Sequence, residues 1–128
     1  MALAYVSTSR IPRYSHDMLA ICRSSLRRNA VLKVSGVLYF DEVRFFQVLE
    51  GDAVNIRHVF RLIQKDPRHS AVLRLYERPV AERRFGAVPM HFVDGARLPE
   101  LATRFPEADI RQGDPGAIRE VEARIGAA

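Results

Sequence analysis

The chain opens with a short apolar run, ALAYVS at residues 2–7, part β-branched and part aromatic, which predicts a first strand. SRIPRY follows as a loop, punctuated by Pro12. From Ser15 to about Asn29 the pattern predicts a helix: Ser15 fits the N-cap, Asp17 lies in the first turn and basic residues gather in the last. Leu19, Cys22 and Leu26 recur at i, i+3 and i+7, with Met18, Ile21 and Ser25 along the adjoining line, so this helix is expected to bury one broad face. Residues 34–40 (VSGVLYF) and 45–51 (FFQVLEG) predict a hairpin closed by Asp41-Glu42-Val43-Arg44. Ile56, Val59, Phe60 and Ile63 set a helical period over 53–65, which Pro67 ends because it lacks a donor and restrains Asp66. Residues 71–77 predict a fourth strand, and 83–92 contain a fifth, interrupted by Gly86 and Pro89.

The order βαββαββ is that of an α+β, ferredoxin-like sandwich, a mixed sheet with two helices on one face. The chain divides into a main unit over 1–93 and a short helical C-terminal extension over 94–128. Two helices are expected in that extension. One runs from Leu98 to Phe105; the other starts at Asp114-Pro115, where Asp suits the N-cap and Pro the first turn. Ile118, Val121 and Ile125 give the second an apolar stripe, which either caps the bare sheet face or meets a partner, and capping is the expectation.

Composition adds limits to this picture. A chain of 128 residues with 48% hydrophobic residues suits one domain. No run nears the roughly 18 apolar residues of a membrane span, the N-terminus lacks a secretory pattern, and the single cysteine suits a reducing compartment, so a cytoplasmic protein is expected. The net charge of +5 raises nucleic acid as a partner. Acidic residues are interspersed among the arginines, however, and no arginine stripe alternates with exposed aromatics. A ferredoxin-like nucleic-acid-binding module is therefore the alternative reading, weakened because FFQVLEG lacks the basic-Gly-aromatic start of an RNA-recognition strand. A small hydrolase of the acylphosphatase sort would need Arg10 and Asn29 in an anion loop and catalytic pair, a loose fit. His16, His58, His69 and His91 are scattered without metal-ligand spacing, Cys22 reads as a buried inert thiol, and no phosphate loop occurs.

The informative feature is a polar residue where the pattern demands burial. Gln47 stands inside FFQVLE, and either face of that strand leaves its amide among hydrophobic side chains. An unpaired buried amide group costs roughly 1–3 kcal/mol, so something polar must face it. Tyr5, mid-strand, and Asn29, at the end of the first helix, can supply partners. Together they form a polar cluster suited to a planar heteroaromatic ligand between helices and sheet.

The same residues carry a resemblance to the BLUF domain, the family of sensors of blue light using flavin, over about residues 2–93. LAYVS places Tyr5 and Ser7 in the family's Y-x-S positions, and RRNAVLKVSGVLYF resembles its N-x-x-x-x-[IV]-[TS]-G-x-L segment, with Asn29 first. RFFQVLEG resembles the strand ending Q-x-[LI]-E-G, IQKDPRH the I-x-x-D-x-R-H element with Asp66, Arg68 and His69, and RRFGAVPM the R-x-F-x-x-W-x-M strand ending on Met90. The resemblance implies a flavin, usually FAD with FMN or riboflavin able to serve, inserted between the two helices. Asn29 would bond the ring's polar edge, Ile21 would form an apolar wall, and Arg68 and His69 would lie along the rim. Light would move an electron and a proton from Tyr5 through Gln47, and their return would leave the Gln47 amide rearranged, with absorption shifted to the red.

Two departures stand out. Val88 occupies the family's tryptophan position in a chain without tryptophan, and Pro89 removes a donor just before Met90. The resemblance is to the short BLUF proteins without an enzyme, which implies an effector protein in trans and homo-oligomers.

Overall fold

The computed structural model describes residues 1–128. Strands β1 (Ala2–Ser9), β2 (Ser35–Phe40), β3 (Arg44–Glu50), β4 (His69–Arg78) and β5 (His91–Asp94) form one sheet in the order β4-β1-β3-β2-β5. Only β2 and β5 pair in parallel. With α1 (His16–Val31) and α2 (Ala53–Gln64) this is the expected mixed, ferredoxin-like arrangement. Local chemistry sets the element ends. The Ser15 hydroxyl accepts from Met18 N, and the Asp52 carboxylate accepts from Val54 N, each capping its helix. Asp41 accepts from both Val43 N (2.8 Å) and Arg44 N (2.9 Å), so the hairpin turn closes at Val43 and Arg44 already belongs to β3. Gly36 is required where β2 crosses β3: a Cβ there would sit 2.0 Å from the Val48 carbonyl oxygen.

Period-two alternation splits the sheet residues into two cores. On the helix side, Leu3, Tyr5, Leu38, Phe45 and Leu49 pack with Met18 of α1 and Ile56, Val59, Phe60 and Ile63 of α2. On the other side, Val6, Val37, Tyr39, Phe46 and Val48 pack with the C-terminal segment. That segment contains a turn of 3-10 helix (Gly95–Arg97), α3 (Pro99–Thr103), α4 (Glu107–Arg111) and α5 (Pro115–Gly126), the last capped by Asp114. Ile118, Val121 and Ile125 of α5 are buried in this second core. The sheet is therefore dry on both faces, and an RNA-binding platform of exposed strand aromatics has no place on it.

Three expectations need correction. Leu19 and Leu26 are 47% and 39% exposed, whereas Met18, Ser25 and Asn29 are the buried line of α1. The helix lies on the stripe that carries two polar residues, of which Asn29 donates to the Pro89 carbonyl and Ser25 lines the cleft between α1 and the sheet. Residues 83–90 are not a strand: Gly86 adopts φ +61° and Pro89 cannot donate, so β5 begins only at His91. Side-chain bonds hold this segment in place of a ladder. A further short helix, α4, lies between the two anticipated ones.

β4 is a sheet edge. Two register shifts against β1, a left-handed Ala71 (φ 51°) and outward arginines at 74 and 78 blunt it against strand addition. No helix is long and apolar enough to cross a membrane.

Candidate functional site

Antiparallel pairing sets Tyr5 of β1 opposite Gln47 of β3, and Gln47 opposite Leu38 of β2. Alternation turns all three side chains toward the helices, at the centre of the sheet. There the Tyr5 hydroxyl donates to Gln47 Oε1 at 2.5 Å, and Gln47 Nε2 points to the Met90 sulfur at 3.6 Å. Gln47 is 2% exposed and Tyr5 3%. Both ends of the amide are thus engaged, one by a strong donor and the other by a weak acceptor. Burial raises the Tyr5 pKa well above the ordinary phenol value; Arg28 pulls it back in part and Asp66 adds to the rise. Tyr5 is a neutral donor throughout the physiological range.

A cleft enclosing about 460 Å³ of empty space, part of it open to solvent, lies over this pair. Tyr5, Leu38, Phe45 and Gln47 form its floor, Ile21, Ser24, Ser25 and Arg28 of α1 one wall, and Ile63, Asp66, Arg68 and His69 the other. Its charges are unequal. Arg68 is spent on Asp66 through a forked contact, Nε to Oδ1 at 2.9 Å and Nη2 to Oδ2 at 2.6 Å. Burial alone would raise the Asp66 pKa, but these bonds outweigh it and hold the carboxyl below its ordinary value. Arg28 has no carboxylate partner; it bonds only the Asn29 Oδ1, through Nε at 3.4 Å, and burial lowers its pKa. It is the uncompensated cation of the cleft.

His69 is oriented from both sides. Its Nε2 faces the Ile63 carbonyl at 2.5 Å, which can only accept, so Nε2 carries the hydrogen. Nδ1 meets the Ser7 hydroxyl at 2.8 Å. The ring stands edge-on to Tyr5 and to Phe45.

Of the residues singled out from sequence, Tyr5, Ile21, Gln47, Asp66, Arg68 and His69 line the cleft. Ser7, Asn29 and Met90 stand behind the lining. Ser7 holds His69, Met90 contacts Gln47, and the fully buried Asn29 donates through Nδ2 to the Pro89 carbonyl at 3.1 Å. Sequence reasoning missed Arg28, Ser24, Ser25 and Phe45. The signal for Arg28 is its place beside Asn29 at the end of α1, one turn beyond Ser24 and Ser25, masked by the other arginines of the same helix.

These residues fit a flat heteroaromatic group. Ile21 and Ile63 on the walls and Leu38 and Phe45 on the floor give apolar surfaces that suit a ring, while Arg28 offers an unspent cation to an electron-rich edge. Gln47 and the Ser24 and Ser25 hydroxyls add polar contacts to the same cleft.

Comparison with known proteins follows the same line. The family model for BLUF, sensors of blue-light using FAD, matches residues 1–91. The photoactivated adenylate cyclase subunit beta of Euglena longa is 33% identical over 104 residues, covering 81% of this chain and 12% of the cyclase subunit. The blue light- and temperature-regulated antirepressor BluF of Escherichia coli K12 is 38% identical over 68 residues, 53% of this chain and 17% of the antirepressor. The chain thus spans well under a quarter of the length of these relatives. Among solved structures, the dark state of BlrB, a BLUF protein, superposes with a TM-score of 0.85 at 32% identity and covers 98% of this chain and 94% of BlrB.

Proposed function

This chain belongs to the BLUF family, sensors of blue light using FAD, and from that premise we propose that it is a receptor without enzymatic turnover in which the Tyr5–Gln47 pair turns light absorption into a reversed amide. The observation that carries this reading is the buried Tyr5–Gln47 hydrogen bond on the floor of a cleft shaped for a ring. Arg28 would hold the electron-rich edge of a flavin, Ile21, Ile63 and Phe45 its faces, and the Asp66–Arg68 pair and His69 its rim. We assign FAD; FMN or riboflavin fits the same ring contacts. Bound flavin supplies the blue absorption band and accepts an electron when excited.

Tyr5 is suited to give up an electron and its phenolic proton together, because burial keeps the phenol neutral and its hydrogen already lies on Gln47 Oε1. Gln47 then turns. Its Nε2 leaves the Met90 sulfur, a weak acceptor that resists little, and Nε2 can take the Tyr5 oxygen as its new acceptor once the amide has rotated. When the electron and the proton have both returned to Tyr5, the amide stays in its turned arrangement and would donate differently toward the cleft, which shifts absorption to longer wavelength. Asn29 acts through its bond to Pro89 by fixing the segment that carries Met90. Residues 1–93 would hold the sensing function, and 94–128 would present its state to an effector protein in the cytoplasm, with the receptor as a homo-oligomer.

The test is spectroscopic. Protein purified with FAD should be yellow, shift red under blue light and recover in darkness; Gln47→Leu should keep the flavin and lose the shift. Protein that takes up no added flavin, or Gln47→Leu that photocycles normally, overturns the reading.

A further inference from the structure

Away from the cleft, the far end of β3 carries a charge that photochemistry does not use. Glu50, three residues beyond Gln47 on the same strand, is fully buried. Its Oε1 accepts from Phe85 N at 3.1 Å, and its Oε2 meets Arg84 Nε at 3.3 Å. Arg84 reaches on in the opposite direction. Its Nη1 pairs with Glu122 Oε2 of α5 at 2.7 Å, and its Nη2 donates to the Tyr76 hydroxyl of β4 at 3.0 Å. Tyr76 in turn donates to Glu122 Oε1 at 2.5 Å. One guanidinium therefore ties together the Gln47 strand, the edge strand and the C-terminal helix.

We propose that Arg84 is a latch that couples the flavin cleft to α5, so that the state of Gln47 sets how firmly α5 stays docked on the back of the sheet. The inference rests on the light-sensing reading above. Two routes from Gln47 meet on the segment holding Arg84. One runs along β3 to Glu50. The other passes through the Met90 sulfur and Pro89, whose carbonyl Asn29 holds, back along residues 84–90. This segment is not strand, so its position depends on these side-chain bonds and not on a ladder. Glu50 is buried and Arg84 is its sole ion-pair partner, so a shift in β3 cannot leave Arg84 in place without stranding the carboxylate. Movement of Arg84 loosens its grip on Glu122. The rest of α5 is held by apolar contacts alone, through Ile118, Val121 and Ile125. Glu122 is the one charged anchor linking α5 to the sheet and its loops.

Amide hydrogen exchange on the FAD-loaded full chain, in darkness and under blue light, tests this, with the flavin spectrum recorded on the same samples. In the wild-type protein, illumination should speed exchange over residues 115–126 roughly tenfold, the size expected when a charge-assisted bond is lost, with α2 unchanged. Glu122→Gln should raise dark exchange in α5 to the illuminated level and erase the light-dependent difference, while the red shift persists. Tyr76→Phe, which deletes a single hydroxyl, should move part of the way. A normal red shift with no light-dependent change in α5 exchange overturns the latch and leaves the photoreceptor reading intact. So does Glu122→Gln that keeps the full light-dependent difference. Absence of any red shift in the flavin-loaded wild type removes the photoreceptor reading, and the latch with it.

Discussion

Removing one partner of the Tyr5–Gln47 hydrogen bond should destabilise the protein more than removing both. In Tyr5→Phe the Gln47 Oε1 loses its donor, and in Gln47→Leu the Tyr5 hydroxyl loses its acceptor, in each case at a site almost closed to water. A buried polar group left unpaired costs about 1–3 kcal/mol. The apolar replacements conserve most of the volume, so cavity costs stay small beside that penalty. Each single variant should therefore lose about 1–3 kcal/mol, roughly 3–10 °C in Tm for a chain of this size. The double variant replaces both partners by apolar groups and strands nothing between them. It should lose no more than either single variant, a coupling of about 1–3 kcal/mol in the cycle. Urea denaturation of the flavin-free protein provides the measurement, since bound ligand would shift the midpoints of variants with different affinities unequally. Single variants within about 0.5 kcal/mol of wild type, or a double variant equal to their sum, would refute the geometry on which the proposed photochemistry rests.

Leu26→Glu on the exposed line of α1 should change stability by less than about 0.5 kcal/mol, whereas Ile56→Ala in the helix-side core should cost about 2–5 kcal/mol; denaturant midpoints decide. Gly36→Ala should cost at least about 2 kcal/mol by the same assay, because backbone of β3 and not a flexible side chain occupies the space of the new methyl. Alkaline titration should show three of the four tyrosines resisting ionisation beyond the ordinary value of 10.0: burial raises Tyr5 and Tyr39, and burial with the Glu122 hydrogen bond takes Tyr76 to about 12. A phenol whose folded pKa is raised contributes stability fully present below the unfolded value and lost as pH rises toward the folded one. Stability should therefore fall above pH 10, and phenolate absorbance from more than one tyrosine ahead of unfolding would contradict this.

How far residues alone led depends on what each position asked of its neighbours. Gln47 was legible because a period of two fixes its face, and an amide there needs a partner whatever the fold. Tyr5 and Gln47 are 42 residues apart, yet strand pairing was enough to bring them together. The α1 face is not given by apolarity alone: Leu19 and Leu26 stay exposed, while Asn29 is buried on the carbonyl of Pro89, 60 residues away. Arg28 was invisible for the converse reason: a charge beside other arginines reads as surface until a cleft forms over it. The segment before β5 carries a strand-like pattern and is not strand, because its arginines and Phe85 owe their position to Glu50 and Ser35, contacts that no local pattern records.

The two-sided burial of the sheet bears on anyone who would carry this receptor into another protein. Cut after residue 93, the chain would bare Val6, Val37, Tyr39, Phe46 and Val48 as one apolar surface, large enough to invite aggregation. A fusion that keeps only the light-absorbing portion must supply a substitute cover, and the cover chosen will decide whether the hybrid is soluble before it decides whether it responds.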